Sequence, residues 1–144
     1  MFLKLVIFVH IICATIWTGG HLILSLSFLP KAIAKNDFTV IEQFESKYEP
    51  IGIPALLILL ITGVYMATVY TPDFFQFDFH NHHTQHIFIK LVLLLTTVVL
   101  AVHARFFLIP KRELKPLAYH IILVTILSVL FVFVGFSTRI GGLL

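Results

Sequence analysis

The sequence predicts an all-α integral membrane protein, an antiparallel four-helix bundle. Hydrophobic residues make up 59% of its 144 positions and charged residues only 12%. That is about half the charged share of a soluble domain. Mean hydropathy is +1.02. Four stretches are long and apolar enough to cross a bilayer, which takes about 20 residues. Lysine and arginine are also shared unevenly between the connections.

The first span covers roughly residues 5–29. It is longer than the apolar core of a signal peptide and lacks a small-residue cleavage site, so it reads as a retained helix. In the following loop, KAIAKNDFTVIEQFESKYEP, Phe38, Ile41 and Phe44 recur every three residues. This predicts a short amphipathic helix lying on the membrane surface. The remaining spans fall at about 51–70, 87–109 and 117–136. Pro30, Pro50, Pro110 and Pro116 stand at span edges and mark helix ends or first turns, while Pro54 sits in the first turn of the second span. The length fits a single domain, no internal repeat is visible, and short loops imply up-down packing. The one cysteine, Cys13, excludes an internal disulfide.

Seven basic residues fall at one end of the bundle: Lys31, Lys35, Lys47, Arg105, Lys111, Arg112 and Lys115. Three, Lys4, Lys90 and Arg139, fall at the other. The positive-inside rule puts the first and third loops in the cytoplasm, with both termini and the second loop outside a bacterial-type inner membrane. The same asymmetry accounts for a pI near 9.2 without a nucleic-acid partner.

Polar groups within the spans are the functional candidates, because they are costly in lipid and face the bundle interior. They are His10, His21, Lys90, His103 and His120, with Arg105 near a helix end. No Asp or Glu falls inside the four spans, which speaks against a carboxylate-based proton carrier or cation channel. His10 and His21 are eleven residues apart, about three turns plus 20°, so they share one helical face about 16 Å apart. Depth counting places His21, His103 and His120 together in the inner leaflet, and His10 in the outer one near Lys90, Tyr65 and Tyr70. Two imidazoles at one depth on different helices suit the iron of a b-type haem. His103 with His21 or His120 is the natural pair. A second haem at His10 would need His86 or Lys90, and Arg105, Lys111 and Arg112 could pair with propionates. Trp17 is a candidate cofactor contact or a packing residue, and Gly19 and Gly20 permit close helix approach. The competing reading makes these histidines interhelical hydrogen-bonders, worth about 1 kcal/mol each.

The second loop, TPDFFQFDFHNHHTQH, gathers His80, His82, His83 and His86 with Asp73 and Asp78. Imidazoles with carboxylates suit copper(II) or zinc, and His82 and His86 would share a face if the segment is helical.

The stretch HIICATIWTGG…FLP resembles the first helix of the copper-resistance D (CopD) family: a His, a Trp seven residues on, two glycines, then Leu-Pro. YEPIGIPALLILLITGVYMA and IFIKLVLLLTTVVLAVHARFF are similar to the next two helices, the latter with an early Lys. The resemblance implies copper uptake or resistance, in a family whose chains are usually larger and work alongside a periplasmic copper carrier. It carries over to His10, Trp17, Gly19, Gly20, Pro30 and Lys90. The HemJ type of protoporphyrinogen oxidase, a small haem- or porphyrin-linked membrane protein, shares the His…Trp pattern. Its Leu-Pro lies much closer to the Trp than Leu29-Pro30 does here.

Three functions follow. The residues favour a protein that binds one or two b haems and passes electrons within the membrane, as an oxidoreductase with quinol or porphyrinogen as donor. The alternative is copper handling, with the loop histidines capturing the ion and His10 and His21 as steps on its path. The third is a structural subunit of a homodimer or larger membrane complex.

Overall fold

The computed structural model describes residues 1–72, 76 and 82–141, without the side chains of residues 82 and 83. Four helices cross the fold. The first is α-helical over Phe2–Ile23, widens to a π turn over Leu24–Phe28 and resumes as an α-helix over Leu29–Lys35. The second runs Thr39–Tyr70. The third is α-helical over His82–His103, takes a π turn over Ala104–Leu108 and closes with Ile109–Lys111. The fourth runs Leu114–Arg139. All four are long and apolar enough to cross a membrane. No strand occurs among the described residues, and the fold is an all-α membrane helical bundle. Its outer surface is apolar, with Leu5, Phe8, Leu26, Ile61, Leu95 and Phe106 all exposed, as contact with lipid tails requires.

Each apolar stretch of the sequence lies within its own helix, but the edges differ. The second helix has 32 residues, about 48 Å at 1.5 Å per residue, against a hydrocarbon core of about 30 Å. The excess is Thr39 to Pro50, so the helix passes through Pro50 and Pro54 instead of starting there. Its first turns do not lie on the membrane surface. Phe38 and Ile41 are buried with Leu24, Leu29, Leu117 and Ile121, and Phe44 packs against the same cluster. A three-residue apolar spacing marks a helix with one buried face, and the partner here is protein.

Pro30 and Pro110 also sit inside helical chain, not at its edge. Proline has no N–H to donate, and its ring collides with the carbonyl four residues back. Both clashes are met in one way: the residue just before each proline makes a wide i→i−5 bond, Leu29 N–H to Leu24 O and Ile109 N–H to Ala104 O. Both segments then end in a Schellman motif. Asp37 N–H donates to Ala32 O and Asn36 N–H to Ile33 O; Glu113 N–H donates to Leu108 O and Arg112 N–H to Ile109 O. The residue at the left-handed position is Asn36 (φ 48°) in one and Arg112 (φ 54°) in the other. A non-glycine side chain is uncommon there. Arg112 is held by an ion pair to Glu42 at 2.6 Å and by stacking of its guanidinium 5.2 Å from the centre of the Phe38 ring.

The first and second helices pack antiparallel: His10 meets Thr62, and Tyr48 meets the backbone near Gly20. Tyr48 lies in a notch between helices. A Cβ on Gly20 would collide with the Tyr48 ring, and one on Gly52 would stand 2.6 Å from it. The Tyr48 hydroxyl donates to the carbonyls of Ile16 and Trp17 at 3.1 and 3.2 Å. The fourth helix closes against the first where Ser25 and Thr125 share a hydrogen bond. There the Thr125 hydroxyl also reaches His21 O at 3.1 Å, beside the π turn that disturbs the carbonyl ladder. The third helix packs on the fourth, while the backbones of the second and third stay apart. Their main polar links are Arg105–Glu49 and Arg112–Glu42, both at 2.6 Å.

The notch predicts that Gly20→Ala lowers the unfolding temperature in detergent, by overpacking worth about 1–3 kcal/mol. Gly19→Ala, whose Cβ would meet nothing within 4 Å, leaves it unchanged or raises it. At the start of the second helix, Asp37 accepts hydrogen bonds from the Thr39 hydroxyl at 2.6 Å and the Thr39 N–H at 2.9 Å. These bonds, with Lys35 and Arg112 adding to them, hold the exposed Asp37 carboxyl below its ordinary range. A lowered carboxylate pKa adds stability above the unfolded value of about 3.9, and that stability is lost as pH falls through the folded one. Unfolding scans from pH 6 to 3 therefore show a shallower acid decline for Asp37→Ala than for the wild type.

Candidate functional site

At the basic end, where the second and third helices part, a cavity of about 90 Å³ opens between them and the central pair. Its polar lining is His21 from the first helix, Glu45, Tyr48 and Glu49 from the second, Arg105 from the third and His120 from the fourth. Trp17, Leu100, Ala104 and Val124 supply apolar wall. The carboxylates reach this depth because the second helix begins at Thr39 and carries Glu42, Glu45 and Glu49 on one face, of which Glu45 and Glu49 line the cavity. The sequence signal was present as that i, i+3, i+7 spacing beside Ile41, Phe44 and Tyr48, but Pro50 read as a boundary placed it in a loop.

Hydrogen-bond chemistry fixes the tautomer of each intramembrane histidine in its neutral form. A carbonyl oxygen only accepts, so His21 carries its proton on Nδ1, which donates to Trp17 O at 2.9 Å. His120 Nδ1 likewise donates to Pro116 O at 3.0 Å. The His120 Nε2 lone pair then accepts from His103 Nδ1 at 2.9 Å. The Thr62 hydroxyl gives its proton to Ile58 O at 2.6 Å, so His10 Nδ1 donates to Thr62 Oγ1 at 2.7 Å. The lone pair lies on Nε2 in all four rings. In His120 it is engaged by His103; a backbone carbonyl behind Nδ1 is the usual outer support of a ligating imidazole.

The structure brings together His21, His120, Arg105 and Trp17, which all line the cavity. It places His103 behind His120, at the bundle surface, stacked on Phe107 with ring centres 5.4 Å apart. His10 stands apart, between Thr62 and Phe131, and Lys90 is half-buried on the third helix. The Trp17 and His21 rings are in tilted contact, 4.4 Å between ring centres with their planes 45° apart. Among the described residues, the buried Trp17 indole N–H has no acceptor. Arg105 does not stand free for a propionate: its Nε is 2.6 Å from Glu49 Oε1. Of the loop histidines, His80 and the side chains of His82 and His83 lie outside the described residues; His86 is half-buried in the first turns of the third helix.

This arrangement does not fit the haem expected from the sequence. His103 and His120 bond directly to each other where iron and a macrocycle would have to intervene. The His21 ring is packed against Trp17 and Tyr48. The cavity holds a few waters or a small ion with its shell, not a porphyrin. Among the described residues no three His, Cys, Asp or Glu side chains converge on a point that could hold a metal ion. The lining groups are borderline and hard donors set around a space, without a closed coordination sphere.

Fold and cavity together define a small helical membrane protein with an ionisable chamber near one surface. The family model for copper resistance protein D (CopD) matches residues 42–138. That is more than half of the chain, which belongs to this family. The match includes Lys90 and begins after the first helix, so the His10…Trp17…Gly19-Gly20 stretch lies outside it. No curated protein and no solved structure matches the chain.

The two ion pairs that join the second and third helices differ in exposure. Glu49 is 23% exposed beside Arg105, and Glu42 is 36% exposed beside Arg112. Glu49→Gln should therefore lower stability more than Glu42→Gln, each by no more than about 1 kcal/mol. Thermal unfolding in detergent at low and high salt checks the order, and the Glu42 effect fades with salt.

Proposed function

We propose that this protein handles copper within the membrane, with the cavity at the basic end as a transient stop for the ion. One observation carries the reading: a member of the copper-resistance D family places two imidazoles and two carboxylates, from three helices, around a single small chamber. Imidazole suits copper in either common oxidation state, and carboxylate adds compensating charge. Donors that line a space without closing on the ion suit a cargo that must leave, since passage requires binding weak enough for release. Arg105 on Glu49 supplies the positive charge that an arriving ion would replace. In this reading the basic end faces the cytoplasm, following the positive-inside rule, and His80, His82, His83 and His86 offer the first contact for copper on the opposite side.

The test is cellular copper. Expression in copper-sensitive bacteria is expected to shift both the copper concentration that halts growth and the metal content of the cells relative to empty vector. His21→Phe, with the protein still present in the membrane fraction, is expected to remove the shift. Copper content identical to vector at full expression sinks the reading.

A further inference from the structure

We infer that His103 and His120 form a two-coordinate copper(I) site, in which the metal replaces the proton that now joins the two rings. The inference rests on the copper reading above and deepens it by naming a site and an oxidation state. The two imidazoles come from different helices and meet nitrogen to nitrogen at 2.9 Å, with ring planes only 24° apart. Two nitrogens aimed at each other across a shared hydrogen are the geometry that a linear N–metal–N unit needs. Metal–nitrogen bonds of about 2 Å put the nitrogens about 4 Å apart, so the rings need separate by only about 1 Å. The slack is local: His103 is the last α-helical residue before the π turn Ala104–Leu108. Its side chain lies at the bundle surface, where little packing resists a small shift.

The exchange balances without a redox step. His120 already presents the Nε2 lone pair, and its Nδ1–H is already engaged by Pro116 O, the outer support that ligating imidazoles use. His103 gives up its Nδ1 proton and takes one at Nε2, through water at the inner surface. Both rings stay neutral, copper enters and leaves as copper(I), and the pair gains one positive charge. Arg105, two residues along from His103, is already neutralised by Glu49, and Glu45 shares the cavity with His120. The coordination number gives selectivity. No three ligand side chains converge among the described residues, so the four ligands that zinc and copper(II) call for are not supplied here. Copper(I), a d¹⁰ ion satisfied by two donors, is. Because His103 is at the surface and His120 in the cavity wall, the site would pass the ion between membrane-side access and the chamber.

The experiment uses the full chain in detergent, with copper(I) held in the coloured bicinchoninate complex under ascorbate. The wild type is expected to withdraw copper(I) and bleach the colour, and His103→Gln and His120→Gln to weaken that competition at least tenfold. His103→Gln retains an N–H for His120 Nε2, which guards the fold. X-ray absorption of the copper-loaded wild type is expected to show two nitrogen neighbours. This measurement decides the matter even if a variant unfolds. Undiminished competition by both variants, or a first shell of three or more donors or of sulfur, overturns the site while the copper reading stands. A wild type that withdraws no copper(I) also overturns it, and the cellular copper assay then shows separately whether the broader reading survives.

Discussion

The basic end of the bundle depends on one close approach, the Tyr48 ring between Gly20 and Gly52. A side chain at either glycine would have to displace the Tyr48 ring from this seat. With the ring seated, its hydroxyl meets two carbonyls of the first helix, and the Trp17 carbonyl so engaged is also the acceptor for His21. The tyrosine therefore sets the helix spacing and borders the histidine that faces the cavity. It also draws in the polar first turns of the second helix, which brings Glu45 and Glu49 beside imidazoles that would otherwise face only lipid-compatible side chains.

The backbone uses one device twice. The first and third helices solve the same problem, a proline near the basic end of a membrane span, with the same wide turn followed by the same left-handed exit. From proline to left-handed residue is six positions in the first case, Pro30 to Asn36, and two in the second, Pro110 to Arg112. The difference is about one helical turn. It leaves the third helix shorter and lets the fourth begin close by, with Arg112 reaching across to Glu42.

What the sequence disclosed follows from the strength of each signal. Four apolar runs in a chain with so few charges leave no alternative to four membrane helices, and these were legible. Helix ends were not, because proline is ambiguous: it stops a helix in water, yet Pro30, Pro50, Pro54 and Pro110 lie within helical chain here. Reading Pro50 as a start removed Glu45 and Glu49 from consideration and made the bundle look free of carboxylates. Depth counting set His21, His103 and His120 at one level, and in the structure the first and last line one cavity while the middle one bonds to the last. Counting gives height along a helix, not rotation about it, so it could not show that two of these rings touch. The repeated turn was hidden for a related reason, since only Leu-Pro-Lys and Ile-Pro-Lys survive as shared letters while the bonding pattern recurs in full.

The placement of Trp17 has an optical consequence. It is the single tryptophan of the chain, lies in the cavity wall and has the His21 ring 4.4 Å from its own. Indole emission is quenched by a nearby imidazolium or by bound copper. The native protein thus carries a fluorophore at its chamber, and the intrinsic emission of an unlabelled sample reports on what enters there.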